Sequence, residues 1–183
     1  MTGHELIELL KVSPTIALDI RYATSNNILG EALYSSDRCF LQEATAVRLH
    51  RIQMSLRKRN LGLKVFDGYR PHSVQKKFWA LLPDPRFFAD PAVGSNHNRG
   101  AAVDVTLIDA KGNELLMPSG FDEMTERAPH SYQGGPLEAL RNRDYLKELM
   151  IQEGFLPCLT EWWHYDDPDW ARFPILDIPI ERL

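Results

Sequence analysis

The sequence predicts an α+β fold, a mostly antiparallel central sheet flanked by helices, in one domain over residues 1–183. Three observations carry that expectation. Two segments alternate apolar and polar residues with period 2, TIALDIRYA at 15–23 and AAVDVTLID at 101–109, and read as strands. Segments 42–60 and 136–152 read as helices, the first with Ala46, Leu49, Ile52 and Leu56 at three- and four-residue steps. These elements follow one another without a regular βαβ rhythm, which favours antiparallel pairing. With 44% apolar and 25% charged residues, the chain can bury a sizeable core.

In chain order, 15–23 sets Ile16, Leu18 and Ile20 against Ala17, Asp19 and Arg21. SNNILGEALYSSDR, at 25–38, is a polar loop. The helix over 42–60 is closed by cationic RKRN at 57–60, which suits the carbonyl end of a helix, and Gly62 follows. LKVFDGYRP, at 63–71, is a strand entering a turn, and Pro71 opens a helix through Leu82. PDPRFFADPAVG is a Pro-punctuated loop. The strand at 101–109 puts Val103, Val105 and Leu107 on one face and Ala102, Asp104 and Thr106 on the other. Residues 109–135 form a long connection, and connections of that length in a compact domain tend to be lids or binding loops. The helix over 136–152 stops at Gly154, GFLPCLTEWWHY is strand-like, and the Pro-broken C-terminal segment packs irregularly.

Net charge is −4, from 21 basic and 25 acidic residues with no long run of either sign, which argues against a nucleic-acid surface. Cys39 and Cys158 do not make a disulfide framework; free buried thiols are the default, with pairing left open. The start, MTGHELIELLKV, lacks the pattern of a signal peptide. No apolar run approaches the roughly 18 residues that cross a bilayer. A cytoplasmic protein without membrane partners is the expectation, and its oligomeric state is open.

Two stretches carry chemistry. SNHNRGAAVDVT, at 95–106, has His97 and, seven residues on, Asp104 inside an apolar, β-branched run. A carboxylate there is costly unless something pairs with it. TEWWHYDDPDW, at 160–170, sets Glu161 and His164 among tryptophans. Fully extended, His97 and Asp104 would stand roughly 23 Å apart, so a shared metal requires a reversal. NRG at 98–100 suits a tight hairpin turn, and Ala102 leaves the inward face uncrowded. Two imidazoles and a carboxylate, with His164 third, match the zinc pattern of three protein ligands and an open position. Glu161 and His164, three apart, would face oppositely on an ideal strand, so a bulge or strand end is expected to turn both inward. Glu161 is then placed to carry a proton for water. Taken singly, His97 reads more readily as a hydrogen-bonded core histidine than as a ligand, Asp104 likewise as a buried turn acceptor, and Glu161 as a solvated edge residue; the conjunction favours the metal. His4, His50, His72 and His130 read as surface or structural.

These residues also match a known pattern. SNHNRGAAVD fits the S-x-H-x-x-G-x-A-x-D signature of zinc D-Ala-D-Ala peptidases, whose fold is shared with Hedgehog signalling domains, and EWWH fits their second element. With LDIRYATSNN, DGYRP and GFDEM, in this order over about 15–168, the chain resembles VanX-type D-alanyl-D-alanine dipeptidases. The resemblance implies one zinc held by His97, Asp104 and His164, with Glu161 as general base and acid. It implies Arg70 as oxyanion stabiliser, Ser95 at the substrate carboxylate, and Asp122 at its ammonium. Independently, Pro71 biases Arg70 to extended backbone, and its guanidinium is a fixed, charged donor fork. The implied reaction is hydrolysis of D-Ala-D-Ala, in cell-wall precursor turnover or glycopeptide resistance. Two alternatives stand: a murein carboxypeptidase or endopeptidase of the same superfamily, and a zinc-binding module without catalysis.

Overall fold

The structure is a computed structural model that describes residues 6–85 and 88–183; His4, Arg86 and Phe87 lie outside them. In chain order the elements are β1 (Leu6–Glu8), α1 (Leu9–Val12), β2 (Ala17–Leu18), β3 (Phe40–Gln42), α2 (Glu43–Arg57), β4 (Leu61–Asp67), α3 (His72–Leu81), β5 (Ala102–Asp109), α4 (Leu137–Gln152), β6 (Leu156–Pro157) and β7 (His164–Asp166). The main sheet has the order β2-β4-β5-β7-β6, with β2–β4 parallel and every other pair antiparallel. β1 and β3 form a separate antiparallel pair. The mostly antiparallel α+β expectation describes this architecture.

β5 is the centre of the sheet and is buried along seven of its eight residues. One face joins Val103, Val105 and Leu107 to Leu63 and Val65 of β4 and Tyr165 of β7. That face packs with Leu49, Ile52 and Leu56 of α2 and Leu146, Leu149 and Met150 of α4 in one apolar cluster. Cross-strand neighbours share a face, so the other side carries Asp104 with His164 opposite it on β7. A bulge completes this side: the register runs Val65↔Val105 and then Asp67↔Asp104, skipping Phe66. The extra residue delivers the Asp67 side chain, rather than a phenyl ring, to the position facing Asp104.

Several boundaries differ from the sequence expectation for local reasons. The strand at 15–23 is confined to Ala17–Leu18, because a 3₁₀ turn at Arg21–Ala23 swings the chain round and buries Tyr22. α2 begins after Gln42, which pairs in β3, and ends before Asn60, whose left-handed φ of 57° stops the helix. Pro71 caps α3 with ψ 139° instead of opening it. The strand-like 154–165 segment divides into β6 and β7 around a turn. Both cysteines are free; Cys39 is buried as expected, but Cys158 is only half-buried. His50 contacts the Ser13 hydroxyl and His72 the Pro91 carbonyl, while His130 is buried.

The long 109–135 connection is firmly packed. Phe121 stacks on Phe66 at 4.8 Å, Ser119 Oγ accepts from Trp162 Nε1 at 2.9 Å, and Ala128 O accepts from Trp162 N at 3.0 Å. The C-terminal segment is irregular as expected and is tied to the site turns: Leu176 N donates to Asn98 O at 2.9 Å and Tyr69 Oη to Ile178 O at 3.1 Å. Among the described residues, no helix is long and apolar enough to cross a membrane.

Candidate metal centre and active site

Residues 96–99 form a 3₁₀ turn instead of the expected hairpin, and Gly100 ends it at φ 65°. Ser95 Oγ accepts from His97 N at 3.2 Å and Asn98 Oδ1 accepts from Ser95 N at 2.8 Å, so the polar residues of SNHN satisfy the turn locally. The turn still achieves the reversal. Ligand atoms of His97, Asp104 and His164 all lie within 4.8 Å of one another. His97 Nε2 stands 3.2 Å from His164 Nδ1 and 3.5 Å from Asp104 Oδ2, and His164 Nδ1 is 3.1 Å from Asp104 Oδ1.

The far sides of both rings decide what this cluster needs. His97 Nδ1 lies 2.8 Å from the Gly68 carbonyl, and His164 Nε2 lies 3.0 Å from Asp166 Oδ1. Carbonyl and carboxylate oxygens only accept, so those nitrogens carry the ring protons. With both rings neutral, the lone pairs of His97 Nε2 and His164 Nδ1 converge on each other and on a carboxylate. Only positive charge reconciles three such donors, and imidazole–imidazole–carboxylate suits zinc.

The surrounding charges show the same demand for positive charge, which without a metal is met by a proton on His164. Burial opposes ionisation of Asp104, but His97 and His164 outweigh it and hold the carboxyl far below the usual range. Burial would also lower His164; hydrogen bonds to Asp104 and Asp166 push it well above its ordinary value. Glu161, at the mouth of the cluster, moves the other way: burial raises its carboxyl, with Asp104 adding repulsion. Glu161 precedes β7 in a turn where His164 N donates to Glu161 O at 3.3 Å. That i to i+3 turn puts both side chains on one wall, where a regular strand would have opposed them.

A cavity of about 370 Å³ opens on the cluster and is lined by all seven residues named from the sequence: Arg70, Ser95, His97, Asp104, Asp122, Glu161 and His164. Arg70 is buried, with its guanidinium 4.5 Å from the Phe78 ring centre. It donates to Asp67 Oδ2 from Nε at 3.2 Å and Nη2 at 2.7 Å, and to Gln75 Oε1 from Nη1 at 2.8 Å. Asp122 has a left-handed φ of 59° and accepts from Tyr22 Oη at 2.7 Å. Burial, with repulsion from Asp104 and Glu161, pushes its carboxyl up to about 8.

The family model described as D-ala-D-ala dipeptidase, Peptidase_M15, matches residues 2–180. The chain belongs to this D-Ala-D-Ala dipeptidase family. It is 39% identical over 172 residues to the D-alanyl-D-alanine dipeptidase of Escherichia coli, covering 94% of this chain and 89% of that one. It is 34% identical over 175 residues to the D-alanyl-D-alanine dipeptidase of Enterococcus faecalis, covering 82% and 86%. The solved structure of VanYB in complex with D-Ala-D-Ala aligns with 73% of this chain and 75% of its own, at 17% identity and a TM-score of 0.48; the family assignment rests on the sequence relatives.

In this dipeptidase-family chain three polar residues of the site escaped the sequence reading. Asp67 is fully buried and accepts from Tyr34 Oη at 2.7 Å and Gly68 N at 3.0 Å besides Arg70. Its signal was available, since it ends the apolar run LKVFD as Asp104 interrupts its own. Asp166 lies two residues beyond His164, the same-face spacing of a strand. Tyr22 had no such signal: the 3₁₀ turn that brings it to Asp122 interrupts what reads as a strand.

Proposed function

We propose that this chain is a zinc-dependent dipeptidase that hydrolyses D-Ala-D-Ala to two D-Ala, with one zinc held by His97, Asp104 and His164. The observation that carries this reading is the convergence of two imidazole lone pairs and a carboxylate on a cavity shared with Glu161 and Arg70. Zinc bound there would supply Lewis acidity to an amide carbonyl and to water. The remaining steps belong to the chain's own residues. Glu161, its carboxyl raised by burial, takes a proton from water as the oxygen adds to the amide carbon, and returns it to the amine as the C–N bond breaks. Asp67 and Gln75 engage three of the five Arg70 N–H groups and fix the guanidinium where it lines the cavity, so that another N–H can donate to the developing oxyanion.

Both charged ends of a dipeptide have a counterpart. Ser95 Oγ already accepts from His97 N, which leaves its O–H to donate to the substrate carboxylate. Asp122 is costly to ionise alone, and a substrate ammonium beside it relieves that cost. Recognition of both ends favours a dipeptide over a longer murein peptide. The test is release of D-Ala from D-Ala-D-Ala by zinc-loaded protein, beside a murein pentapeptide. Preferential dipeptide cleavage is expected; faster pentapeptide cleavage points to a carboxypeptidase, and no release with zinc fully loaded to a non-catalytic module.

A further inference from the structure

We infer that Asp166 is the positioning residue of the His164 arm of the metal centre, accepting its Nε2–H and thereby fixing the ring with Nδ1 towards His97 and Asp104. The inference rests on the ligand set proposed above. His164 and Asp166 alternate along β7 and project from the same face, and the carboxylate oxygen meets Nε2 at 3.0 Å. The register opposes Asp166 to Ala102 on β5 and to Leu156 on β6, so its backbone is paired on both sides. One residue on, Asp167 N donates to Ala101 O at 2.8 Å and pins the strand beyond it. Ala102, the residue opposite Asp166 on β5, presents only a methyl group.

The two imidazoles are thus oriented by different means. His97 is held by the Gly68 carbonyl, a backbone group that no substitution removes. His164 is held by a side-chain carboxylate, which also makes the ring a more basic donor than a carbonyl would. The Asp166 side chain is 24% exposed and lines the cavity, so it does not serve to fill the core.

The experiment measures the zinc dissociation constant by competition with a chromophoric chelator for wild type, Asp166→Asn and Asp166→Ala. Asp166→Ala should weaken zinc binding about 10–100-fold. Asp166→Asn retains an acceptor oxygen without the charge and should fall between the two. In the zinc-loaded wild type, ring-nitrogen NMR should report His164 as the Nε2–H tautomer, with its proton signal broadened by exchange in Asp166→Ala. Wild-type zinc affinity in Asp166→Ala overturns the inference; if that variant does not fold, wild-type affinity in Asp166→Asn overturns it equally. A wild-type protein that binds no zinc removes the ligand set and this inference together, whereas unchanged binding in the variants removes only the inference.

Discussion

At the scale of single residues, the chain gives its site away by putting charge where charge is expensive. Asp104 within AAVDVTLID and Glu161 within TEWWHY announce themselves because burial without a partner would be unfavourable. Glu161→Gln should lower kcat by roughly 10²–10⁴-fold, the range for a general acid–base group, while zinc content by atomic absorption stays at the wild-type level. Near wild-type turnover in that variant would remove Glu161 from the mechanism. Asp67 obeys the same rule as Asp104, yet its role is invisible until the β4 bulge turns it onto the site. It is the counter-ion of buried Arg70, so Asp67→Ala leaves a guanidinium uncompensated and should cost about 3–5 kcal/mol in urea unfolding. A loss below 1 kcal/mol would show that Gln75 alone suffices to hold Arg70.

At the scale of elements, what was legible follows from length. α2, α4 and β5 are long enough for their periodicity to show, and each lies within three residues of its expected bounds. β1, β3 and β6 are two or three residues long, too short to display any period, and only tertiary pairing makes them strands. The reversal after His97 was legible in NRG, but its form was not. The capping of Ser95 and Asn98 selects a 3₁₀ turn, and the contact with β1 then demands a glycine at its end. At Gly100, on backbone at φ 65°, an added Cβ would stand 2.3 Å from Leu6 Cδ2, a side-chain end that can turn aside, and 3.3 Å from the backbone N of Gln42, which cannot. Gly30 offers the control, since it has φ 73° and nothing within 4 Å of the same added atom. Gly30→Ala should lose about 1–2 kcal/mol, the cost of a left-handed alanine. Gly100→Ala should lose clearly more in denaturant unfolding, and should also weaken zinc binding because the turn carrying His97 must shift. Equal losses from the two variants would mean that β1 gives way freely.

At the scale of the whole molecule, five motifs spread along the sequence converge on one cavity because a bulge, a 3₁₀ turn and a strand-entry turn each aim side chains at the same sheet face. The same burial that builds the site gives the fold an acid-sensitive point elsewhere. His130 lies beneath the turn that carries Glu161, its backbone N–H donating to Leu159 O at 3.0 Å. Neither of its ring nitrogens has a hydrogen-bond partner among the described residues. Burial holds the imidazole down at about 4, Lys147 and Arg143 adding repulsion against the weaker pull of Asp144. The unfolded chain binds this proton near the ordinary value of about 6.5, so between pH 6.5 and 4 the unfolded state holds more of it than the folded state. Stability contributed by neutral His130 is therefore complete above pH 6.5 and drains away as the pH falls to about 4. Depressed carboxylates such as Asp166 give up their contribution only at lower pH, as the solution passes below the ordinary carboxylate range. His130→Leu, which also removes two unpartnered buried nitrogens, should unfold no more easily than wild type at pH 7 and should flatten the decline between pH 6.5 and 4.5 in a series of urea titrations. Parallel curves for the two proteins across that interval would show that His130 takes up its proton as readily in the folded chain as in the unfolded one.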